Sequence, residues 1–220
     1  MNICEEKEIC LNVPVIYQEK PTRNKGGDCF AYAFMAGLHY FYPENKINLD
    51  DLWECFMGES VGGKPCLCNS WNYYNRTFLK LNSKGYMLEF LSGIVLPDYS
   101  ETNIWSYDFY RFNNHKGFFN KVYDLLDNGW LLLFSIDNDG NGSYKLDSDG
   151  KLCKNSINHL VLVDGIKSQW DDVENMDGCR SFVYYVHVVC STKGGYWIKL
   201  SDFIDKHGAA AWWQFRGYIP

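Results

Sequence analysis

The chain has 220 residues, of which 46% are hydrophobic and 17% are aromatic, and its formal net charge is -6. This length allows one sizeable core, and the absence of a lysine- or arginine-rich block argues against a nucleic-acid partner. The apolar runs are too short to span a bilayer, and the N-terminus lacks the basic start and apolar run of a signal peptide. These features predict a globular protein of the cytoplasm, with no membrane partner.

The chain carries nine cysteines. An odd number leaves at least one thiol unpaired within the chain, and without a secretion signal we expect reduced thiols. Cys66 and Cys68 are separated by one residue, whereas the paired ligands of zinc usually have two to four residues between them. The sequence also lacks a glycine-rich phosphate loop and a His-Glu-x-x-His motif. We therefore expect neither a metal nor a cofactor.

Helical patterns dominate the first half of the chain. Residues 11–28 are typical of an extended entry segment followed by a turn-rich loop. Apolar residues at helical spacing then predict a helix from Cys29 to about Tyr40. Asn and Asp residues of the capping type predict a short second helix at 48–56. Two further helices are predicted at residues 70–85 and 115–129, each ending at a glycine.

Strand-like segments dominate the second half. They are WLLLFSID from residue 130, HLVLVDGI from 159, SFVYYVHVVCS from 181 and GYWIKL from 195. Helices early and strands late predict an α+β fold in two layers. We expect a single domain over residues 1–220, with a helical lobe at about 20–110. The β lobe covers about 111–220 together with the N-terminal segment, and a cleft between the lobes is the natural place for a site.

A cysteine stands at the start of the first predicted helix. Cys29 follows two glycines and an aspartate, and a thiol in the first turn of a helix lies at the positive end of the helix dipole, which favours thiolate. Such a nucleophile needs a histidine as base. His159 is the best of the five histidines because it opens an apolar strand directly after a polar turn. The other histidines are one in the first helix (His39), two near polar turns (His115, His207) and one on a strand that can face either way (His187).

The two motifs resemble those of the papain family of cysteine peptidases. The stretch GDCFA from Gly27 is similar to the family's nucleophile motif, and NHLVLVDGIK from Asn158 is similar to its histidine strand. The separation of 130 positions between Cys29 and His159 also fits the family's order. The resemblance implies a papain-like fold, with a helical lobe packed against an antiparallel sheet or barrel. It also implies a thiol protease that cleaves peptide bonds through an acyl-enzyme on Cys29, with His159 as base.

The resemblance also implies a glutamine that donates to the oxyanion, a few residues before the nucleophile. Gln18 is our prediction for this role, although eleven positions separate it from Cys29. If the loop aligns differently, Asn24 or Lys25 occupies the place instead. Removing one such donor typically lowers the rate by about 10²–10³-fold, so the choice bears directly on activity.

Two further family positions depart from the pattern. The asparagine that orients the histidine is replaced by Cys190, which is not a good substitute for a carboxamide. Asp171, Asp172 or another carboxylate serves if the hairpin folds back. The orienting residue is therefore left open. Two glycines that admit the substrate backbone are replaced by Ser70 and Trp71.

Three functions follow from these patterns. The first is a cysteine peptidase with a peptide or protein substrate and an oligomeric state that the sequence leaves open. The second is a catalytically impaired papain-fold protein that binds or regulates a partner, because the orienting asparagine is missing. The third is acyl transfer to an amine, because GGDCF resembles the cysteine motif of arylamine N-acetyltransferases.

Overall fold

The structure is a computed structural model that describes residues 5–18, 28–56, 79–91, 115–137, 144–146, 152–154, 159–174, 180–207 and 212–218. Within these ranges the helices with both ends described are α1 (Asp28–Phe41), α2 (Leu49–Phe56), α3 (His115–Asp127) and α4 (Leu200–Asp205), and residues 79–83 are the end of a further helix. The strands are β1 (Lys7–Cys10), β2 (Leu88–Leu91), β3 (Leu131–Ile136), β4 (Tyr144–Leu146), β5 (Leu152–Lys154), β6 (His159–Glu174), β7 (Arg180–Cys190), β8 (Gly194–Lys199) and β9 (Trp212–Gly217). The predicted mixed α+β class is confirmed.

One antiparallel sheet organises the molecule. Its strands follow the order β2-β9-β3-β6-β7-β8, and β1 pairs with β6 outside this path. The long strand β6 is the spine of the sheet, since it pairs with β3 near its start, with β1 further along, and with β7 on its other edge. Strands β4 and β5 form a separate two-stranded sheet. The start of β6 is therefore held by neighbours whose register is fixed by many hydrogen bonds.

Helix α1 covers one face of this sheet. Its alanine-rich, aromatic sequence favours a helix, and every residue from 30 to 38 except Gly37 belongs to the buried hydrophobic core. The core on this face joins Phe34 and Leu38 to the strand residues Leu133 and Leu162. A helix this deeply buried fixes the position of its first turn, which carries Cys29.

Helices α3 and α4 cover the opposite face. The predicted apolar stripe of α3 is buried, and Val122 packs in the same core as Phe134 on β3 and Phe203 on α4. Successive residues of β3 alternate between the two cores, so both sides of the strand are apolar. A sheet that is apolar on both faces needs cover on both, and the expectation of two layers is therefore wrong. The helices flank the sheet on both sides.

Most of the longer predicted elements are confirmed, but several short ones are missed. Helices α1, α2 and α3 and strands β3, β7 and β8 lie where the patterns predict them, whereas β6 begins as predicted but continues to Glu174, eight residues beyond the predicted segment. Strands β1, β2 and β9 and helix α4 were not predicted as separate elements. Residues 79–83 form the described end of the helix predicted at 70–85, and Gly85 follows with φ +92°. Strand β2, from the range assigned to the helical lobe, pairs with β9 in the sheet.

No helix in the described ranges is both long enough and apolar enough to cross a membrane.

Candidate thiol–imidazole site

Cys29 lies in the first turn of α1, as the sequence predicts. The helix begins at Asp28, so Cys29 is its second residue. The first four N–H groups of an α-helix have no carbonyl partner within the helix, and the helix dipole makes this end partly positive. Cys29 is half-buried and packs against the core that α1 shares with the sheet. The residue is thus held in place by its helix while part of it remains exposed.

His159 is the first residue of β6, also as predicted. Its backbone pairs with Ile136 of β3, and its side chain is buried. The ring atom Nε2 lies 3.2 Å from Sγ of Cys190, the last residue of β7. The Cys29 thiol also interacts with this imidazole and raises its pKa. His159 therefore interacts with two thiols that come from different elements.

The interactions in this group favour a protonated His159 and a deprotonated Cys190. Burial by itself lowers the pKa of His159, but hydrogen bonds to Cys190 and Cys29, with the negative charge of both sulfurs, outweigh it and raise the pKa to about 9. Burial by itself raises the pKa of Cys190, but hydrogen bonds from His159, from Thr192 and from the backbone of Lys193 outweigh it and lower the pKa to about 6. Near neutral pH, an imidazolium faces a thiolate.

The turn after β7 supports the sulfur of Cys190. The hydroxyl oxygen of Thr192 lies 3.2 Å from Sγ, and the backbone groups of Thr192 and Lys193 also hydrogen-bond to it. Burial, together with the negative charge of Cys190, raises the pKa of Tyr196 to about 12. Several hydrogen-bond donors thus converge on Cys190, as expected around a buried anion.

The backbone of Gln18 reaches the same end of the sheet. Its N–H donates to the carbonyl oxygen of Ser191 over 2.8 Å, directly beside Cys190 in the chain. The hydroxyl of Ser191 is buried and has no hydrogen-bond partner among the described residues. The alternatives Asn24 and Lys25 lie outside the described residues. The entry segment therefore ends next to the thiol–imidazole group.

Of the residues considered for orienting His159, Cys190 lies next to the ring and Asp171 does not. Cys190, judged a poor substitute from its sequence, is the residue that contacts the ring. Asp171 lies twelve residues further along β6, about 40 Å at ~3.3 Å per residue, and pairs with Lys199 at 3.4 Å. Asp171 is therefore wrong as an orienting candidate, because it sits at the far end of the strand. The side chain of Asp172 is not among those described, and Ser70 and Trp71 lie outside the described residues.

One signal in the sequence pointed towards Cys190. It stands where the resemblance places the orienting residue, at the end of the strand that follows the histidine strand. Cys190 lacks a carboxamide, but as a thiolate it can accept a charge-assisted hydrogen bond from an imidazolium. The site so defined is a sulfur–imidazole–sulfur group at the junction of a helix start and two strand ends.

A scan against protein-family models finds no match to this chain, and a search of the curated proteins finds none either. The resemblance to the papain family accordingly stays a prediction.

Proposed function

We propose that the chain is a thiol hydrolase of papain-like fold that cleaves peptide bonds, with Cys29 as nucleophile and His159 as base. A single observation carries the proposal: the buried imidazole of His159 lies 3.2 Å from Cys190 and also interacts with Cys29. A nucleophile, a base and a third group that fixes the base form the arrangement that activates a nucleophilic side chain.

The two ring nitrogens of His159 serve different sulfur atoms in this proposal. Nε2 faces Sγ of Cys190 at 3.2 Å, which leaves Nδ1 for Cys29. Cys29 reacts as a thiolate paired with the imidazolium of His159, its own proton having passed to solvent, and the sulfur attacks the carbonyl carbon of the peptide. The imidazolium then gives its Nδ1 proton to the nitrogen of the leaving amine as the C–N bond breaks. A water molecule, deprotonated by the now neutral His159, attacks the thioester, releases the acid and regenerates the thiolate–imidazolium pair.

The oxyanion of each tetrahedral intermediate needs hydrogen-bond donors. The backbone N–H of Cys29, in the first turn of α1, is one candidate. The carboxamide of Gln18 is the second, because its backbone is anchored to Ser191 at the same end of the sheet. Gln18 is thus the member of the proposed site whose role rests on backbone placement alone.

Cys190 is the positioning residue in this proposal. As a thiolate it accepts a hydrogen bond from Nε2–H, orients the ring and stabilises the imidazolium. A carboxamide would orient the ring without a charge, whereas the thiolate adds an electrostatic contribution like that of a carboxylate. The nucleophile and Cys190 must both be reduced, so the proposal includes a reducing compartment such as the cytoplasm.

The test is proteolysis of a quenched fluorescent peptide library by the purified chain. We expect cleavage by the wild type, none by Cys29→Ala, and a loss of at least about 10³-fold in His159→Ala. Cys55→Ser is the matched control, since Cys55 is a buried cysteine of α2 outside the site. Cleavage by Cys29→Ala at the wild-type rate would refute the proposal.

A second candidate is a papain-fold binding or regulatory module, favoured by the replacement of the expected asparagine by Cys190. Such a module leaves Cys29 with the alkylation rate of an ordinary thiol. Acyl transfer uses the same acyl-enzyme, and it is distinguished by faster release of the acyl group when an amine is added.

A further inference from the structure

A second group of chemistry-bearing side chains lies away from the site described above. Cys10 on β1 and His187 on β7 both pair across Gly165 of β6, so the three strands bring them side by side. An irregularity in the pairing of β6 with β7, between Val163 and Gly165, inserts Asp164 as an extra residue. The bulge directs a fully buried carboxylate to the same place.

The donor atoms of this cluster converge. Nδ1 of His187 lies 2.6 Å from Oδ1 of Asp164 and 3.8 Å from Sγ of Cys10. All three ligand atoms lie within 4.8 Å of one another. Oδ2 of Asp164 accepts the N–H of Val13 over 2.7 Å, which fixes the carboxylate. Asn12 has φ +57°, and its Oδ1 lies 3.6 Å from the Cys10 sulfur.

This arrangement does not suit a second nucleophile–base relay. A relay needs the carboxylate and the thiol on opposite ring nitrogens, whereas Nδ1 of His187 faces both. Burial and the negative charges of Asp164 and Glu8 raise the pKa of the Cys10 thiol, although a backbone hydrogen bond from Asn12 opposes them. A thiol in this setting is a poor nucleophile.

We propose that Cys10, Asp164 and His187 form a binding site for a divalent transition-metal ion of the zinc class. Sγ, Oδ1 and Nδ1 are the three protein ligands, and Oδ1 of Asn12 or a water molecule takes the fourth position. Sulfur, imidazole and carboxylate are the donors that zinc accepts. A cation also offsets the charge of a carboxylate that the fold buries completely.

The two distances made by Nδ1 of His187 are close to those that the ion needs, and the Cys10–Asp164 pair lies within 4.8 Å. In a tetrahedral site with bonds of about 2.3 Å to sulfur and about 2.0–2.1 Å to nitrogen and oxygen, the sulfur and nitrogen are ~3.6 Å apart and the nitrogen and oxygen ~3.3 Å. The Cys10–His187 distance therefore shortens slightly, and the His187–Asp164 pair opens by several tenths of an ångström. The thiol proton passes to solvent, and Nδ1 gives up its proton so that His187 binds the ion as the neutral tautomer protonated at Nε2, with no change of oxidation state.

The occupied site would tie the entry segment to the sheet. The segment from Cys10 to Gln18 runs from the cluster to the thiol–imidazole site, and Val13 is bound to Asp164 between them. Because the ion binds the folded chain far better than the unfolded one, it stabilises the fold by mass action.

Cobalt(II) tests the site directly, since a thiolate ligand gives a charge-transfer band in the near ultraviolet. The chain is stripped with a chelator, reduced and titrated with Co²⁺. We expect a band that saturates near one equivalent in the wild type and that zinc abolishes. Cys10→Ser and His187→Gln should each lose this band, and Cys29→Ser should keep it. Zinc should raise the melting temperature of the wild type but not that of Cys10→Ser.

Two results would overturn the proposal. One is a band of equal intensity in the wild type and in Cys10→Ser, which would place the cobalt on other cysteines. The other is a band lost in Cys29→Ser or Cys190→Ser, which would place it at the thiol–imidazole site. If Cys10→Ser fails to fold, His187→Gln provides the second variant, because it removes another of the three ligands. A band of wild-type intensity and affinity in that variant would likewise overturn the proposal.

Discussion

Interactions with two sulfur atoms raise the pKa of His159 and favour its charged form. Burial alone lowers the pKa of a histidine, and the raised value of about 9 therefore measures how strongly Cys29 and Cys190 favour the imidazolium. Cys190 in turn has a lowered pKa of about 6, despite complete burial of its side chain. Each partner of the buried pair thus favours the charged form of the other.

Substitutions of Cys190 test its positioning role. Because an imidazolium–thiolate hydrogen bond is charge-assisted, we expect Cys190→Ala to slow the alkylation of Cys29 about tenfold to a hundredfold at pH 7, the equivalent of about 1.5–3 kcal/mol. Cys190→Asp restores the negative charge and should recover most of the rate. The measurement is iodoacetamide labelling with peptide mapping by mass spectrometry. Equal rates in all three proteins would show that Cys190 does not act on the site.

The stability of the pair has a defined pH window. Cys190 has a pKa lowered from 9.0 to about 6, so its contribution is present above the unfolded value and is lost as the pH falls through about 6. His159 has a pKa raised from 6.5 to about 9, so its contribution is complete below 6.5 and is lost as the pH rises through about 9. Both groups are charged only between these limits.

The melting temperatures of the wild type and Cys190→Ser should therefore differ most between about pH 6 and pH 9. The difference should shrink below that window, where Cys190 is protonated, and above it, where His159 is neutral. Thermal unfolding in a series of buffers measures it. A difference that is constant from pH 5 to pH 10 would argue against an ion pair.

At the scale of elements, helix α1 approaches strand β9 too closely for a side chain at Gly37. A Cβ placed there would lie 2.9 Å from Cε2 of Phe215 and closer still to Cζ, and 3.0 Å from Cδ1 of Leu131. Gly37 therefore allows the helix that carries Cys29 to pack closely against the sheet.

We expect Gly37→Ala to lower the free energy of unfolding by about 1–3 kcal/mol, although alanine is intrinsically better than glycine in a helix by roughly 1 kcal/mol. Phe215→Leu, which shortens the opposing ring, should reduce the cost of the same substitution in the double variant. Urea unfolding of the four proteins gives the coupling energy. A stabilising Gly37→Ala would show that the helix does not pack this closely.

The elements that the sequence predicts well are long and carry their own pattern. Helix α1 is marked by apolar residues at helical spacing, and α3 by its stripe and by Gly129, which has φ +75°. Strands β1 and β2 have only four residues each and are defined by partners far away in the chain. Helix α4 has six residues, and no periodicity can be recognised over so short a segment.

The site could be predicted from the sequence only in part, because some of its contacts depend on partners far away in the chain. Cys29 and His159 stand at the ends of strongly patterned elements, so their positions follow from the sequence. The contact with Cys190 depends on the pairing of β6 with β7, and that of Cys10 with Asp164 depends on a bulge and on a neighbour more than 150 positions away. Neither pairing registers nor bulges can be read from periodicity.

For the whole molecule, the two hydrophobic cores share the same strands. Leu162 packs in the core under α1, and its neighbour Val163 packs in the core under α3 and α4. Loss of one core removes the support of the strands that the other core needs, and we expect the two to unfold together.

Leu162→Ala and Val163→Ala should therefore shift one common transition, with a cost of about 2–5 kcal/mol for the leucine and less for the valine. Far-ultraviolet circular dichroism and tryptophan fluorescence should report the same midpoint in each variant. Two separate midpoints, one for each substitution, would show that the faces of the sheet unfold independently.

The activation of Cys29 by His159 is tested most directly by the rate at which iodoacetamide labels Cys29 at pH 6, with a cysteine peptide as reference. At this pH His159 is protonated, since its pKa is about 9, and it can pair with a thiolate. We predict that Cys29 in the wild type reacts at least about tenfold faster than the peptide, and that His159→Asn reacts at the peptide's rate. Equal rates in the wild type and His159→Asn would contradict the account.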